Sequence, residues 1–376
     1  MLFLKECKKI ICSLIFVLYT AALIIMYASQ LGTEREPVVK PQAGQEDYGM
    51  VEREVPEILM PAAIESLKRE YESESYIAYP FLLYKEVKLN EADTEKIAEV
   101  IGKLSVDMPY DEFRELMRQA DKIIGGGSKY CDEFIVGNFS MVPETYEEAL
   151  KDYEETIEEG NIGESYTRLY CDYLGITLAI LPVFLCAFLW QLDRKSQMEE
   201  LIYSRKISSF KIVGIRYLAL VSCMMIPVIL TFLHIMAGVI GLYPGQDIGI
   251  SKAIGIGALW LIPEIMIVAG VGILISETVS PLPAIFVQGI WWYTCLVKNQ
   301  LTGSITKWTL IVRHNNLGKT ELFRKQFADF VFNRTAYAVL ALICLGLTVF
   351  VYEKKRKGVY GQNGFIWKNH VRKSEA

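Results

Sequence analysis

Histidine is scarce in this chain. The 376 residues include three, His234, His314 and His370, and none has a Cys, Asp or Glu partner at metal-ligand spacing. Neither HExxH nor CxxC occurs, so the sequence signals of zinc hydrolases and thiol redox enzymes are missing. A complete phosphate loop is missing too. LGKT at 317–320 has the right ending, but the pattern needs a glycine five residues before Gly318, and that position is Arg313. No buried strand precedes the segment, so it is expected to be plain loop. Catalytic residues, metal ligands and a resident cofactor are accordingly not expected in this chain. The eight cysteines lie mostly in or beside apolar runs, where a thiol behaves as a small hydrophobe. Cys131 and Cys171 fall elsewhere. An oxidising compartment would let them pair, although no framework of paired cysteines surrounds them. There is no internal repeat.

What the chain does have is oil and an uneven charge. Hydrophobic residues make up 52% of it. Segment 33–170 holds 15 Lys+Arg against 32 Asp+Glu, a net −17, while the remainder carries +12. An acidic, water-facing block inside a basic, apolar remainder marks a membrane protein with one large exposed domain. The acidity of that block also argues against nucleic acid as a partner.

A spanning helix needs about 20 mostly apolar residues. Six runs come close: 10–28, 173–192, 217–242, 253–275, 281–297 and 336–352. The first has a basic start and small residues near its end, so a cleaved signal peptide competes with an uncleaved anchor. Its apolar core is longer than a usual signal core of ~7–15 residues, which favours the anchor. Lys and Arg concentrate at cytoplasmic ends. With the N-terminus inside, the start, the 193–216 segment, the 276–280 turn and the tail with Lys354, Lys355, Arg356 and Lys357 all fall on the cytoplasmic side. One loop resists. Segment 298–334 is rich in Lys and Arg, yet six spans place it outside; its alternating apolar and basic residues suit an interfacial segment.

The expected fold is therefore an all-α polytopic membrane protein with six transmembrane helices and a large, mainly helical extracytoplasmic domain between helices 1 and 2. Residues 1–29 form the first helix, 30–171 the exported domain, and 172–376 a five-helix membrane domain with a basic tail at 353–376. Both termini are expected in the cytoplasm and the chain in the cell membrane. Within the exported block, helices are expected over 56–71, from Asp93 through Leu104, over 110–124 stopped by Gly125-Gly126-Gly127, and after Pro143 up to Gly160. Segment 75–89 reads as extended and 33–48 as a polar linker.

Charged residues inside apolar runs are costly and become functional candidates. Glu264 in ALWLIPEIMIVAG is the sharpest. It either faces a pathway or fills a bundle-interior position beside backbone freed by Pro263. His234 is expected to be packed or interfacial, and Asp172 and Arg216 to reach the headgroup layer. Between the second and third runs lies DRKSQMEELIYSRKISSFK, 193–211. Its apolar residues Met198, Leu201 and Ile202 recur at helical spacing but are too few to span. A helix lying on the inner membrane surface would suit its basic residues; Glu199 and Glu200 suit a docking helix for a cytoplasmic partner.

This stretch resembles the cytoplasmic connection of permease subunits in type-2 ATP-binding-cassette (ABC) exporters. That family often carries (M)EEL-(I/L)-x-S-R-P-(I/V)-S followed by K-x-x-x-x-R-(Y/F). The matches are Met198-Glu199-Glu200-Leu201, Ser204-Arg205, Ile207-Ser208 and Lys211…Arg216-Tyr217, with Lys206 in place of the frequent Pro. The resemblance implies a permease without its own ATPase site. It would pair with a separate cytoplasmic ABC ATPase that binds ATP and Mg, and with a second permease copy or paralogue. Met198, Glu199, Glu200, Leu201, Ile202 and Tyr203 would form the coupling helix, flanked by Arg205 and Lys206. Two other classes compete. A membrane sensor with a ligand-binding exported domain would need a signalling domain, and the tail after Tyr352 is too short for one. A membrane enzyme would need converging polar groups near the membrane, and Glu264, His234 and Asp172 are expected to be scattered among the spans.

Overall fold

A computed structural model describes residues 2–32, 36–79, 84–159, 161–190, 192, 196, 199–204, 206–298, 305 and 308–358, with the side chains of Glu158, Glu199, Glu200 and Lys298 left out of the description. The expected Met198 and Arg205 lie outside these residues. The chain is mostly helical and separates into two compact units, Lys40–Lys151 and the remainder.

The acidic unit is built on three amphipathic helices. α3 (Pro56–Glu72) opens on a proline, which needs no helical N–H at that position. α4 (Glu91–Lys103) is capped by Asn90, whose side chain accepts from the Asp93 N–H. α5 (Tyr110–Ile124) ends at Gly125 with φ +114°, a left-handed stop that a Cβ would disfavour. Their apolar stripes meet in a core of Leu59, Ala63, Leu67, Ile97, Phe113, Met117 and Tyr130. Two short antiparallel pairs flank it. One joins β1 (Met50–Glu52) to β4 (Met141–Pro143), the other β2 (Tyr76–Ala78) to β3 (Lys85–Val87). The short α6 (Ile135–Phe139) precedes β4, and α7 (Tyr146–Tyr153) follows it. Inside the core the Tyr130 hydroxyl donates to Glu70 Oε2, and Lys129 pairs with Glu70 at 2.9 Å. Burial, then the Glu70 carboxylate, pushes the Tyr130 phenol well up.

The apolar unit starts with α1 (Leu2–Ile11) and α2 (Leu14–Leu31), split at Ser13, which caps α2 by accepting from the Phe16 N–H. The run at 173–192 is not one rod. α8 (Ile162–Leu178) and α9 (Leu181–Trp190) meet at a 43° bend. Pro182, at the start of α9, supplies no N–H, so the preceding turn loses a helical bond. Two side chains of α13 (Pro281–Lys298) satisfy carbonyls there: Trp292 Nε1 donates to Ile176 O at 2.8 Å and Gln288 Nε2 to Ala179 O at 2.6 Å. The segment Glu199–Tyr203 forms a short helix, α10.

α11 (Ser209–Leu242) and α12 (Ile250–Thr278) are long and apolar. α14 (Thr320–Arg356) has 37 residues, about 55 Å at 1.5 Å each, and so starts well before the run at 336–352. α12 is the central helix, packed on α8, α9, α11, α13 and α14. Small residues let the backbones close in: a Cβ on Gly270 would lie 3.3 Å from Ala341 O, and one on Gly272 3.3 Å from Cys186 Cβ. Among the described residues four helices are long and apolar enough to cross a membrane, α2, α11, α12 and α14, and the bent α8–α9 pair makes a fifth if counted as one span. α13 is apolar but shorter.

Candidate functional site

Two polar constellations stand out in the apolar unit. The first is a buried layer of ion pairs. Arg334 of α14 and Glu264 of α12 have no side-chain exposure and pair at 3.2 Å. Glu264 thus lies in the bundle interior. Its partner is an arginine seventy positions away rather than the backbone beside Pro263. Arg334 Nη2 also donates to Leu310 O at 3.2 Å, and its guanidinium lies over Trp260 and Phe330.

Asp172 is fully buried as well, where the headgroup layer was expected. It accepts from Arg313 Nε at 3.0 Å and from the His314 backbone N–H. Arg168, one turn earlier on α8, donates to Glu164 at 2.9 Å, Ser165 Oγ at 3.0 Å and Thr320 Oγ1 at 2.9 Å. Two buried arginines, Arg168 and Arg334, and a partly buried third, Arg313, thus face three acids, which is how such charges become tolerable away from water.

These contacts explain the basic loop. Segment 308–319 does not lie wholly along a surface, although Trp308 and Asn315 are exposed. It folds into the bundle, with Leu310, Ile311 and Val312 buried. Its carbonyls are held by side chains: Asn333 Nδ2 donates to Thr309 O, Tyr337 Oη to Trp308 O, and Arg168 Nη2 to Leu317 O. From Thr320 onward the supposed loop is α14. Arg313 and Arg334 pair with the internal acids Asp172 and Glu264, and Arg324 pairs with Glu159 at 3.0 Å near the surface. The LGKT stretch is loop followed by the first residue of α14, with Gly318 O accepting from His314 Nε2. Burial, then the nearby Arg168 cation, pulls the His314 imidazole down to about 3.

The second constellation is a clamp around the 199–209 segment. Ile202 and Tyr203 pack against the main apolar core, and the Tyr203 ring meets Tyr352 at 5.4 Å. Leu201, between α10's charged start and these anchors, is 53% exposed. Lys206 is exposed. Arg356, at the end of α14, donates to Tyr203 O at 2.9 Å and Ile207 O at 2.6 Å. Ser209 donates to Glu353. Lys355 reaches Glu277 at the end of α12, and the same carboxylate accepts from Trp190 at the end of α9. Near Trp190, Arg216 pairs with Glu6 of α1 at 3.6 Å, and Glu6, Lys9, Trp190 and Arg216 line one shallow cavity. The segments expected to share the cytoplasmic side therefore meet at one end of the bundle. At α2, His234 Nδ1 and the Tyr27 hydroxyl lie 2.6 Å apart. Among the described residues no group of His, Cys, Asp and Glu could hold a metal ion.

Sequence reasoning flagged Glu264 and Asp172 but missed Arg168, Arg313, Arg334 and Trp260 as their company. The partners come from distant segments. The signal that existed was an excess of arginine in a segment the topology placed outside.

The class these features define is a helical membrane protein with a separate acidic domain. Comparison with protein-family models, curated proteins and solved structures finds no match for the chain.

Proposed function

We propose that this chain is the membrane-spanning permease subunit of an ABC exporter, worked by a separate cytoplasmic ATPase through the 199–206 segment. Six spans are assigned: α2, the bent α8–α9 pair, α11, α12, the short α13 and α14. Both termini then face the cytoplasm, and the unit Lys40–Lys151 is exported. The observation that carries the reading is the clamp. A short helix with an exposed Leu201 is tied to the end of α14 by Arg356, and that end of α14 is tied in turn to α11 through Glu353 and Ser209 and to α12 through Lys355 and Glu277. Force applied to it would reach α14 directly and the central α12 through α14. A partner can shift such a bundle only by binding its two states differently, and a stiff connection is what transmits that difference. ATP and Mg would be bound by the partner, and a second permease would complete the transporter. Leu201→Asp and Glu200→Lys test the reading in cells. Loss of ATPase association and export, with normal amounts of chain in the membrane, is expected. Unchanged association and export in both variants would overturn it.

A further inference from the structure

A cleft of about 360 Å³ opens between the starts of α12 and α14, lined by Asn161, Glu164, Lys252, Gly255, Ile256, Leu259, Phe323, Arg324 and Phe327. Its size is in the range of small-ligand sites. The wall is mostly apolar, with Ile256, Leu259, Phe323 and Phe327 along its length and charge at its rim. The rim charges are not equivalent. Glu164 is engaged by Arg168 at 2.9 Å, and Arg324 by Glu159 at 3.0 Å. Lys252 has no ion pair among the described residues and is exposed. It sits in the first turn of α12, whose backbone N–H groups and dipole also favour an anion. Asn161 is buried and its Oδ1 is without a hydrogen-bond partner among the described residues. Beside the cleft, Ile250 and Ile254 of α12 and Phe327 of α14 are exposed. On spanning helices such residues face acyl chains.

We infer that this cleft is a binding site for an anionic membrane lipid, with the acidic headgroup on Lys252 and one acyl chain along Ile256, Leu259, Phe323 and Phe327. The occupant is taken as a bilayer lipid rather than a soluble amphiphile because the apolar wall continues onto an exposed apolar helix face. The inference does not depend on the permease assignment, since it uses contacts of this chain alone.

Gly255 makes a clean test possible. Gly255 lines the cleft and a Cβ there meets nothing within 4 Å, so Gly255→Leu starts from open space at the cleft wall, and leucine is the better helix former. The full-length chain is purified in mild detergent and its melting temperature followed on adding phosphatidylglycerol or phosphatidylcholine, with retained lipid counted by native mass spectrometry. Phosphatidylglycerol is expected to raise the melting temperature by several degrees more than phosphatidylcholine and to be retained as a discrete molecule. Gly255→Leu should abolish that preference while leaving the lipid-free melting temperature unlowered. Lys252→Gln should weaken it at least fivefold. Dodecyl phosphate, the soluble probe, should not reproduce the effect. Equal responses to the two lipids in the unmodified chain, a preference that survives Gly255→Leu, or an equal response to dodecyl phosphate would overturn the inference.

Discussion

Removing one member of the Glu264–Arg334 pair should cost far more than removing both. The two side chains are fully buried and 3.2 Å apart. Arg334→Leu leaves a carboxylate in the middle of α12, and Glu264→Leu leaves a guanidinium over Trp260 and Phe330. Breaking a buried pair in this way typically costs about 3–5 kcal/mol, whereas replacing both partners by apolar groups is often near neutral. For a unit of this size each kcal/mol moves the melting temperature by roughly 2–4 °C. Each single substitution is therefore expected to lower it by roughly 6–20 °C. The double variant Arg334→Leu with Glu264→Leu should recover at least half of the loss, though Leu310 O then loses its donor. Thermal unfolding of the four proteins in one detergent gives the coupling energy from the cycle. Additive single effects, or singles within about 1 kcal/mol of the unmodified chain, would refute the reasoning.

Gly163→Ala should be strongly destabilising, because a Cβ there would lie 2.4 Å from Ile248 O; a melting temperature within 2 °C of the parent would contradict this. Arg356→Ala removes two donors to the Tyr203 and Ile207 carbonyls, so amide exchange across 203–209 should accelerate at least tenfold while exchange in the acidic unit stays unchanged. His314 supplies a pH dependence. Its folded pKa is about 3, below the ~6.5 of an unfolded histidine, so the unfolded chain binds the extra proton. The stability this histidine contributes is full above about pH 6.5 and is lost as pH falls toward 3. Melting curves between pH 7 and 4.5 should show a falling midpoint whose slope is reduced in His314→Gln.

The apolar runs were legible because hydrophobicity over ~20 residues is a local property. The helices of the acidic unit were legible for a similar reason: Phe113, Leu116, Met117 and Ala120 repeat at helical spacing, and Gly125 ends the pattern. The bend at Pro182 was hidden, because the run stays apolar through it and its repair comes from Gln288 and Trp292, a hundred residues away. The first fifteen residues of α14 were hidden for a different reason. Their inward stripe, Phe323, Phe330 and Arg334, mixes aromatic residues with a cation, so a scan for oil passes over it. Asp172 looked like a headgroup residue from its place at a run's edge; what decides its burial is Arg313, which no local pattern connects to it. The acidic compact unit ends at Lys151, and 152–171 belongs with the apolar helices. Charge alone could not mark that boundary, since Glu155, Glu159 and Glu164 are the internal partners of α14 and α8.

The permease assignment rises or falls with the partner. Purification of the tagged chain from its native host in mild detergent, beside its Leu201→Asp variant, would identify and count what remains bound. A stoichiometric ATPase carrying a complete phosphate loop, retained by the parent and absent from the variant, is the expected result. The parent isolated alone, or holding a signalling partner that Leu201→Asp does not release, would contradict it and leave α10 as a helix lying on the membrane surface.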